Sequence, residues 1–295
     1  MSFVAQIDLS LSDKLLDGLK AQGFEISQPP YTLFQGKKKG VTCTLYTSGK
    51  LMIQGKDMAA FIQFYLEPEI LNTFTYGYQT VDLDLSARIG VDESGKGDFF
   101  GPLCIAGVHA EGEAIKKLAE IGVKDSKKLS DISALKIAQK IKKDYLYHIV
   151  RIGPEKYNEL YEKFGNLNLL LGWGHATVIE QLIEKTGCPH VIIDQFAAEH
   201  VVERALQRKK QKAILTQRTK AEQDLVVAAA SILARAAFLD GLQKLEELWQ
   251  MPLPKGASVK TIESGKALVN KHGPQVLGQV AKMHFKTAQQ VLDSQ

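Results

Sequence analysis

The chain of 295 residues has only three cysteines, Cys43, Cys104 and Cys188. An odd number at wide spacing can build neither a disulfide framework nor a paired-cysteine zinc site. Long apolar runs are also missing. The longest nearly unbroken one, Leu225 to Ala234, contains Ser231 and falls far short of the ~20 residues that span a bilayer. The first residues carry Asp8 and Asp13 and show no basic stretch followed by an apolar one, so no secretory signal is legible. These absences lead us to expect a protein of the reducing cytoplasm with no membrane partner. Gly-Lys-Ser and Gly-Lys-Thr phosphate loops are absent too, and Gly95, Gly97 and Gly101 miss the dinucleotide-binding pattern by one position.

What is present is enough for a folded core: 45% hydrophobic and 24% charged residues, in a length that suggests about two domains. The net charge of +4 hides an uneven distribution. Residues 1 to 86 hold seven lysines and nine acids, which leaves 30 basic and 24 acidic residues for the remainder. Five lysines (Lys37, Lys38, Lys39, Lys50, Lys56) fall between Tyr31 and Lys56 with no acid among them. Seven basic residues lie between Arg204 and Lys220, again with no acid. Such blocks suit a solvated face, and equally a track for a polyanion.

Periodicity divides the chain in two. A helix over 12–21, strands over 31–34, 41–47 and 51–54, and an amphipathic helix over 57–66 describe a small α+β domain, with Ser48-Gly49-Lys50 as a hairpin turn. This domain is expected to occupy residues 1–86, with a linker from about residue 67, where periodicity fades and Pro68 appears. In residues 87–295, strands over 87–92, 102–109 and 144–152 are followed by a helix over 166–185, strands over 191–193 and 213–217, and a helix over 221–249. Strands in succession and then alternating with helices predict a mixed sheet flanked by helices.

The sharpest stretch is Gly90-Val91-Asp92-Glu93-Ser94-Gly95-Lys96-Gly97-Asp98-Phe99-Phe100-Gly101-Pro102. A strand that ends in adjacent carboxylates and then in glycines flanking a lysine can hold a hard divalent cation while backbone amides and Lys96 approach a phosphate. The same stretch also reads as a polar hairpin turn. Alternation sends Asp92 and Glu93 to opposite faces, so both serve one site only if the chain bends there, as Gly95 and Gly97 permit. Asp194 ends the apolar strand 191–193, where open α/β sheets place their ligands. Asp224 falls early in the last long helix, sharing a face with Ala228 and Ser231, while Thr219 and Glu222 have capping-box spacing. Each acid also has a plain reading, as a turn residue or a first-turn acid. Four converging carboxylates would repel one another unless cations balanced them, and two divalent ions roughly 3.5–4 Å apart would clamp a phosphodiester. With the basic blocks, the combination argues for a metal-dependent nuclease. The seven histidines are scattered without ligand-like spacing.

At this point the sequence resembles the type 2 ribonucleases H. The block Asp92 to Pro102, the segment Asp125-Ser126-Lys127-Lys128-Leu129, Ile193-Asp194, and Asp224 to Ile232 match that family's motifs in order. The resemblance implies a ribonuclease H-like mixed five-stranded sheet and places the family's metal-binding acids on Asp92, Glu93, Asp194 and Asp224. Its glycine-basic-glycine substrate loop falls on Gly95, Lys96 and Gly97, and its lysine-bearing segment on Ser126 and Lys127. The region Leu253 to Ser258 lacks the tyrosine of the ribonuclease HII branch. Residues 1–86 look like the N-terminal domain of the ribonuclease HIII branch, which resembles half of the TATA-box-binding protein, and Lys50 sits in its lysine hairpin. The expectation is a monomeric endonuclease that uses two Mg²⁺ or Mn²⁺ ions to hydrolyse the RNA strand of RNA/DNA hybrids, leaving 5′-phosphate and 3′-hydroxyl ends and preferring runs of ribonucleotides. Alternatives are a ribonuclease HII-like enzyme cutting at single ribonucleotides, and a nucleic-acid-binding protein that cuts nothing.

Overall fold

The computed structural model describes residues 2–71, 83–123, 126, 129–194, 200–209, 212–219 and 221–293. Two compact units are present: Met1–Leu83 with Ala119–Gly122 and Lys128–Ser133, and Asp84–Leu118 with Val123–Lys127 and Ala134–Gln295. The chain passes between the units at residues 83 and 84, and two short later segments group with the first unit.

The first unit begins with β1 (Ser2–Gln6), α1 (Ser12–Ala21), β2 (Glu25–Ser27) and β3 (Thr32–Lys38). After these come β4 (Val41–Tyr46), β5 (Lys50–Gln54) and α2 (Met58–Phe61). The five strands form an antiparallel sheet of order β1-β5-β4-β3-β2. Alternation builds its core: Leu51 and Ile53 of β5 are fully buried while Lys50 and Gln54 are exposed, and Leu15 and Leu19, one turn apart on α1, join the same cluster. Gly49, at φ +79°, closes the β4–β5 hairpin at the expected place. The expected linker starts later than residue 67. The chain continues from α2 as a wider π-helical coil over Ile62–Leu71, carrying Pro68 inside it, because Leu66 and Ile70 are buried in the core. The rest of that expected linker, residues 72–82, lies outside the described residues.

From residue 88 the elements are β6 (Arg88–Ser94), β7 (Leu103–Ala110), α3 (Glu113–Glu120), α4 (Asp131–Asp144) and β8 (Leu146–Ile152). Next come α5 (Pro154–Phe164), α6 (Leu167–Thr186), β9 (His190–Asp194), α7 (His200–Arg208) and β10 (Ile214–Arg218). The last are α8 (Leu225–Trp249), α9 (Val259–His272), α10 (Leu277–Val280) and α11 (Lys286–Leu292). The sheet order is β10-β9-β6-β7-β8, with β6, β9 and β10 parallel and β7 antiparallel to both of its neighbours, β6 and β8. This is the expected mixed five-stranded sheet.

Its two faces differ in what the sequence puts there. Ile89 and Val91 of β6 pack with Leu170, Leu171, Val178, Ile179 and Leu182 of α6. Gly90 faces the other way, and a Cβ there would come within 2.4 Å of the Val226 and Val227 backbone of α8. Only glycine lets that alanine-rich helix approach so closely. By length and composition α8 could cross a bilayer, which the broken apolar run of its first half hides, but 78% of its apolar window is buried inside the protein. It is the core helix of the second unit.

Candidate active site

Parallel pairing of Ile89, Gly90 and Val91 with Val191, Ile192 and Ile193 brings Asp92 to the level of Asp194 at the carboxyl ends of the two central strands. A cleft of about 480 Å³ opens there, lined by Asp92, Glu93, Gly95, Lys96, Gly97 and Asp194, with Ser126, Ser231 and Arg235 also on its wall. Of the acids expected to converge, the structure thus assembles three.

The expected bend between Asp92 and Glu93 does not occur. β6 keeps its register with β7 through Ser94, so the two carboxylates leave on opposite faces. Asp92 meets the α8 side: it hydrogen-bonds with Ser231, and its Oδ1 accepts the Glu93 N–H at 2.8 Å. Glu93 meets the α6 side, where its Oε2 lies 3.0 Å from Nε2 of the fully buried His175 and its Oε1 accepts from Lys96 Nζ at 3.1 Å. Both still border one cleft because the cleft sits at the end of the sheet, where its two faces meet.

These environments push the two acids apart. Burial, and next the charge of Glu93, raise the Asp92 carboxyl well above the ordinary aspartate range. Glu93 is buried as well, which alone would raise it, but the bonds and charges of His175 and Lys96 outweigh burial and hold it below its ordinary value. Asp92 is therefore a carboxyl short of positive charge, whereas Glu93 already has it.

Asp224 does not join them. Its Oδ1 accepts from Val226 N at 2.9 Å and Val227 N at 3.3 Å, making it the N-cap of α8 rather than a residue inside that helix. Its Oδ2 accepts from Arg88 Nε at 2.8 Å. Arg88 in turn gives Nη1 to the carbonyls of Asp84, at 3.0 Å, and Ser86, at 2.7 Å. α8 runs beside β6 with Val226 at Gly90 and Ser231 at Asp92, so the seven residues from Asp224 to Ser231 put the cap about 10 Å along the axis from the cleft. The Thr219–Glu222 capping box is not formed around this cap.

Sequence reasoning passed over four residues. Glu222 belongs to a 3-10 turn, Ala221–Gln223, whose first N–H donates to Asp194 Oδ1 at 3.2 Å. Its signal was topological: β10 is the parallel neighbour of β9, with Arg218 opposite Asp194, so the chain leaving β10 emerges at the same sheet end. Arg235, one turn past Ser231, gives Nη1 to the carbonyl of Ser126, whose Oγ lies 2.7 Å from Ser231 Oγ. Ser126 thus lies at the cleft as expected, while Lys127 lies outside the described residues. Lys50 is exposed at the start of β5 in the first unit. His175 gave no spacing signal, because its partner Glu93 is 82 positions away. The fourth, Lys282, donates its ammonium to the backbone carbonyls of Asp98 and Gly101, in the stretch that directly follows the Gly95–Gly97 loop.

In the loop itself, Gly95 has φ +89°, and a Cβ there would sit 2.2 Å from the Pro102 carbonyl oxygen. Gly97 is different: a Cβ would meet nothing within 4 Å. Fold alone explains the first glycine and not the second.

A mixed sheet of this order, with acids at the ends of its two central parallel strands, defines the ribonuclease H-like class. A sequence model of ribonuclease HII matches residues 89–288, and a domain of unknown function (DUF3378) matches residues 2–75. Ribonuclease HIII of Protochlamydia amoebophila is 58% identical over 98% of this chain and 96% of its own length. Ribonuclease HIII of Chlamydia pneumoniae is 51% identical over 98% of this chain and 97% of its own. Among solved structures, Bst-RNase HIII in complex with Mn²⁺ has a TM-score of 0.68 at 28% identity, covering 100% of this chain and 99% of that one. Aquifex aeolicus RNase H3 has a TM-score of 0.58 at 30% identity, covering 96% and 100%. The chain belongs to the ribonuclease HII family, on its ribonuclease HIII branch, and is a ribonuclease H endonuclease.

Proposed function

We propose that this chain hydrolyses the RNA strand of RNA/DNA hybrids, preferring runs of ribonucleotides, with divalent cations held by Asp92, Glu93 and Asp194 and by Glu222 in the place first assigned to Asp224. The observation that carries the reading is the convergence of Asp92, Glu93 and Asp194 on one cleft that Lys96 and Arg235 also line. The donor set suits a hard cation: all are carboxylate oxygens, and Asp92 is desolvated beside a second acid. Among the described residues no group of three or more His, Cys, Asp or Glu side chains is drawn together closely enough to hold a metal ion by itself. A hard cation such as Mg²⁺ usually keeps several waters and takes part of its shell from substrate phosphates. Bound there, such ions would polarise the phosphodiester and activate the attacking water.

The remaining work falls to the chain itself. Lys96, 43% exposed, sits at the mouth with its charge toward Glu93 and the cleft, where a scissile phosphate would meet it. The open side of Gly97 lets a sugar-phosphate backbone approach the main chain. Arg235 and Ser126 brace each other on the far wall. In the first unit, the exposed lysines of the 37–56 segment, Lys50 included, supply phosphate contacts that are independent of sequence. We assign the activity to the cytoplasm and to a monomer. Products with 5′-phosphate and 3′-hydroxyl ends should form on a uniform hybrid with Mg²⁺ or Mn²⁺ and vanish with chelator. Asp92→Asn and Asp194→Asn should abolish cleavage while hybrid binding persists. Wild-type turnover in either variant would sink the assignment, and binding with no cleavage under any metal would favour the non-catalytic reading.

A further inference from the structure

Lys282 is the one lysine in the described residues with no exposed surface at all. Its ammonium has no carboxylate within 4.0 Å among the described residues. It donates instead to the backbone carbonyls of Asp98 at 2.8 Å, Gly101 at 2.7 Å and, more loosely, Phe100 at 3.4 Å, with the Tyr157 ring centroid 5.7 Å away. All three carbonyls belong to the stretch that follows Gly95-Lys96-Gly97 directly.

The same stretch is held from two further directions. Phe99 N donates to Gly256 O at 3.0 Å, and Gly256 N donates to Asp98 Oδ1 at 2.6 Å. Lys282 N donates to Phe99 O, and Gly101 N to Val280 O, each at 2.9 Å. Phe99 and Phe100 are fully buried in a core shared with Phe238, Leu253, Leu268 and Leu277. The turn that carries Lys96 is closed by Asp98 N on Gly95 O at 3.3 Å. Asp98 is therefore where the pinned and the substrate-facing parts of the loop join.

A buried ammonium satisfied by carbonyls differs from one satisfied by a carboxylate. Its three donors are matched only while these peptides keep their present orientation. If the loop opens, a charge is stranded in an apolar core, which is strongly unfavourable. Burial of the charge and the shape of the loop are thus a single equilibrium.

We propose that Lys282 is a positioning residue for substrate binding: by holding the carbonyls of Asp98, Phe100 and Gly101 it sets the attitude of the Gly95-Lys96-Gly97 turn over the acidic cleft. The role rests on the hybrid-cleaving function assigned above, although the pinning itself does not. Lys282→Met keeps the length and removes every donor. Its KM for a hybrid should rise at least about tenfold with kcat changed by no more than about threefold, since the acids are untouched and the loop serves binding. Amide exchange should accelerate in a peptide covering residues 95–102 and stay unchanged in the first unit. A variant weakened only in its core would instead lose active protein, with KM unaltered and exchange raised across α9 to α11, and that result would overturn the proposal.

Should Lys282→Met not fold, the unmutated chain decides. The amides of Phe99, Gly101 and Lys282 should exchange together, and far more slowly than that of Gly97; equal rates would reject the pin. If the wild type cleaves no hybrid while these amides are protected, the functional assignment falls and the pinning stands.

Discussion

Replacing Asp224 should unfold before it inactivates. Its carboxylate is 9% exposed and its partner Arg88 5%, so Asp224→Ala leaves a guanidinium buried with one bond fewer and only the exposed Asp84 carboxylate, 3.9 Å away, as counter-charge. Breaking such a pair costs about 3–5 kcal/mol, and loss of the α8 N-cap, about 1 kcal/mol alone, overlaps with it. Asp224→Asn retains an oxygen for Val226 and Val227 and should cost about 1.5–3 kcal/mol, the worth of the charged bond. Both tryptophans, Trp173 and Trp249, lie in the second unit, so their fluorescence follows that unit through urea. With a slope of about 1–3 kcal/mol per molar urea, Asp224→Ala should lower the midpoint by at least about 1 M. Its kcat, measured well below the midpoint, should stay within about threefold of wild type. Glu222→Gln is the counterpart, with an unchanged midpoint and a kcat lowered by at least about a hundredfold, the scale of losing one electrostatic contact in a site. An Asp224 variant with the wild-type midpoint and a hundredfold lower kcat would refute this reasoning and return Asp224 to the metal site.

Four further outcomes follow. Changing Lys37, Lys39 and Lys50 together to Ala should reduce the slope of log affinity against log salt by about two to three, at 0.7–0.9 per lost phosphate contact, and an unchanged slope would remove the first unit from binding. Metal titration by calorimetry near pH 6 should release protons: the Asp92–Glu93 pair keeps one up to about pH 7, because burial and then the neighbouring charge raise Asp92. With that pKa above the unfolded 3.8, the contribution to metal-free stability is complete below 3.8 and is lost as pH rises through about 7, so added Mg²⁺ should raise the melting temperature more at pH 8 than at pH 5. Duplexes with about four or more consecutive ribonucleotides should be cut efficiently and those with one poorly, since several 2′-hydroxyls can stand in for a junction-sensing tyrosine that Leu253 to Ser258 does not supply; preference for the single ribonucleotide would support the ribonuclease HII-like alternative.

Long periodic elements were legible in the sequence. α1 falls on the expected residues, and α6 lies within one residue of its expected bounds, because Asn166 caps it and Gly187, at φ +69°, ends it. β1 and β2 were missed for a physical reason: β1 is only partly buried and β2 is exposed along its length, so neither displays a buried alternation. Strand alternation likewise put Asp92 and Glu93 on opposite faces of β6, and the glycines that follow do not turn Glu93 to the side of Asp92. What holds Glu93 is His175, a contact made only once α6 packs on the sheet.

The acids of the β10–α8 connection show where such reading stops. Glu222 and Asp224 are two residues apart, and both suit the start of a helix. Treating the helix as beginning at Ala221 makes Glu222 a capping partner and turns Asp224 inward. Beginning it at Leu225, as the structure does, makes Asp224 the cap and commits both its oxygens to Val226, Val227 and Arg88. A shift of four residues in a helix start therefore exchanges the structural acid for the candidate ligand, and element boundaries are what periodicity defines least well. The exchange also explains why a carboxylate is needed at 224. Arg88 opens β6 at the end away from the acidic cleft and binds the carbonyls of Asp84 and Ser86, with the exposed Asp84 carboxylate 3.9 Å away, so a close and buried counter-charge offsets the burial of its guanidinium. Asp224 supplies it while capping the helix that presents Ser231 to Asp92, so the base of the candidate site and its cleft are lined by different acids.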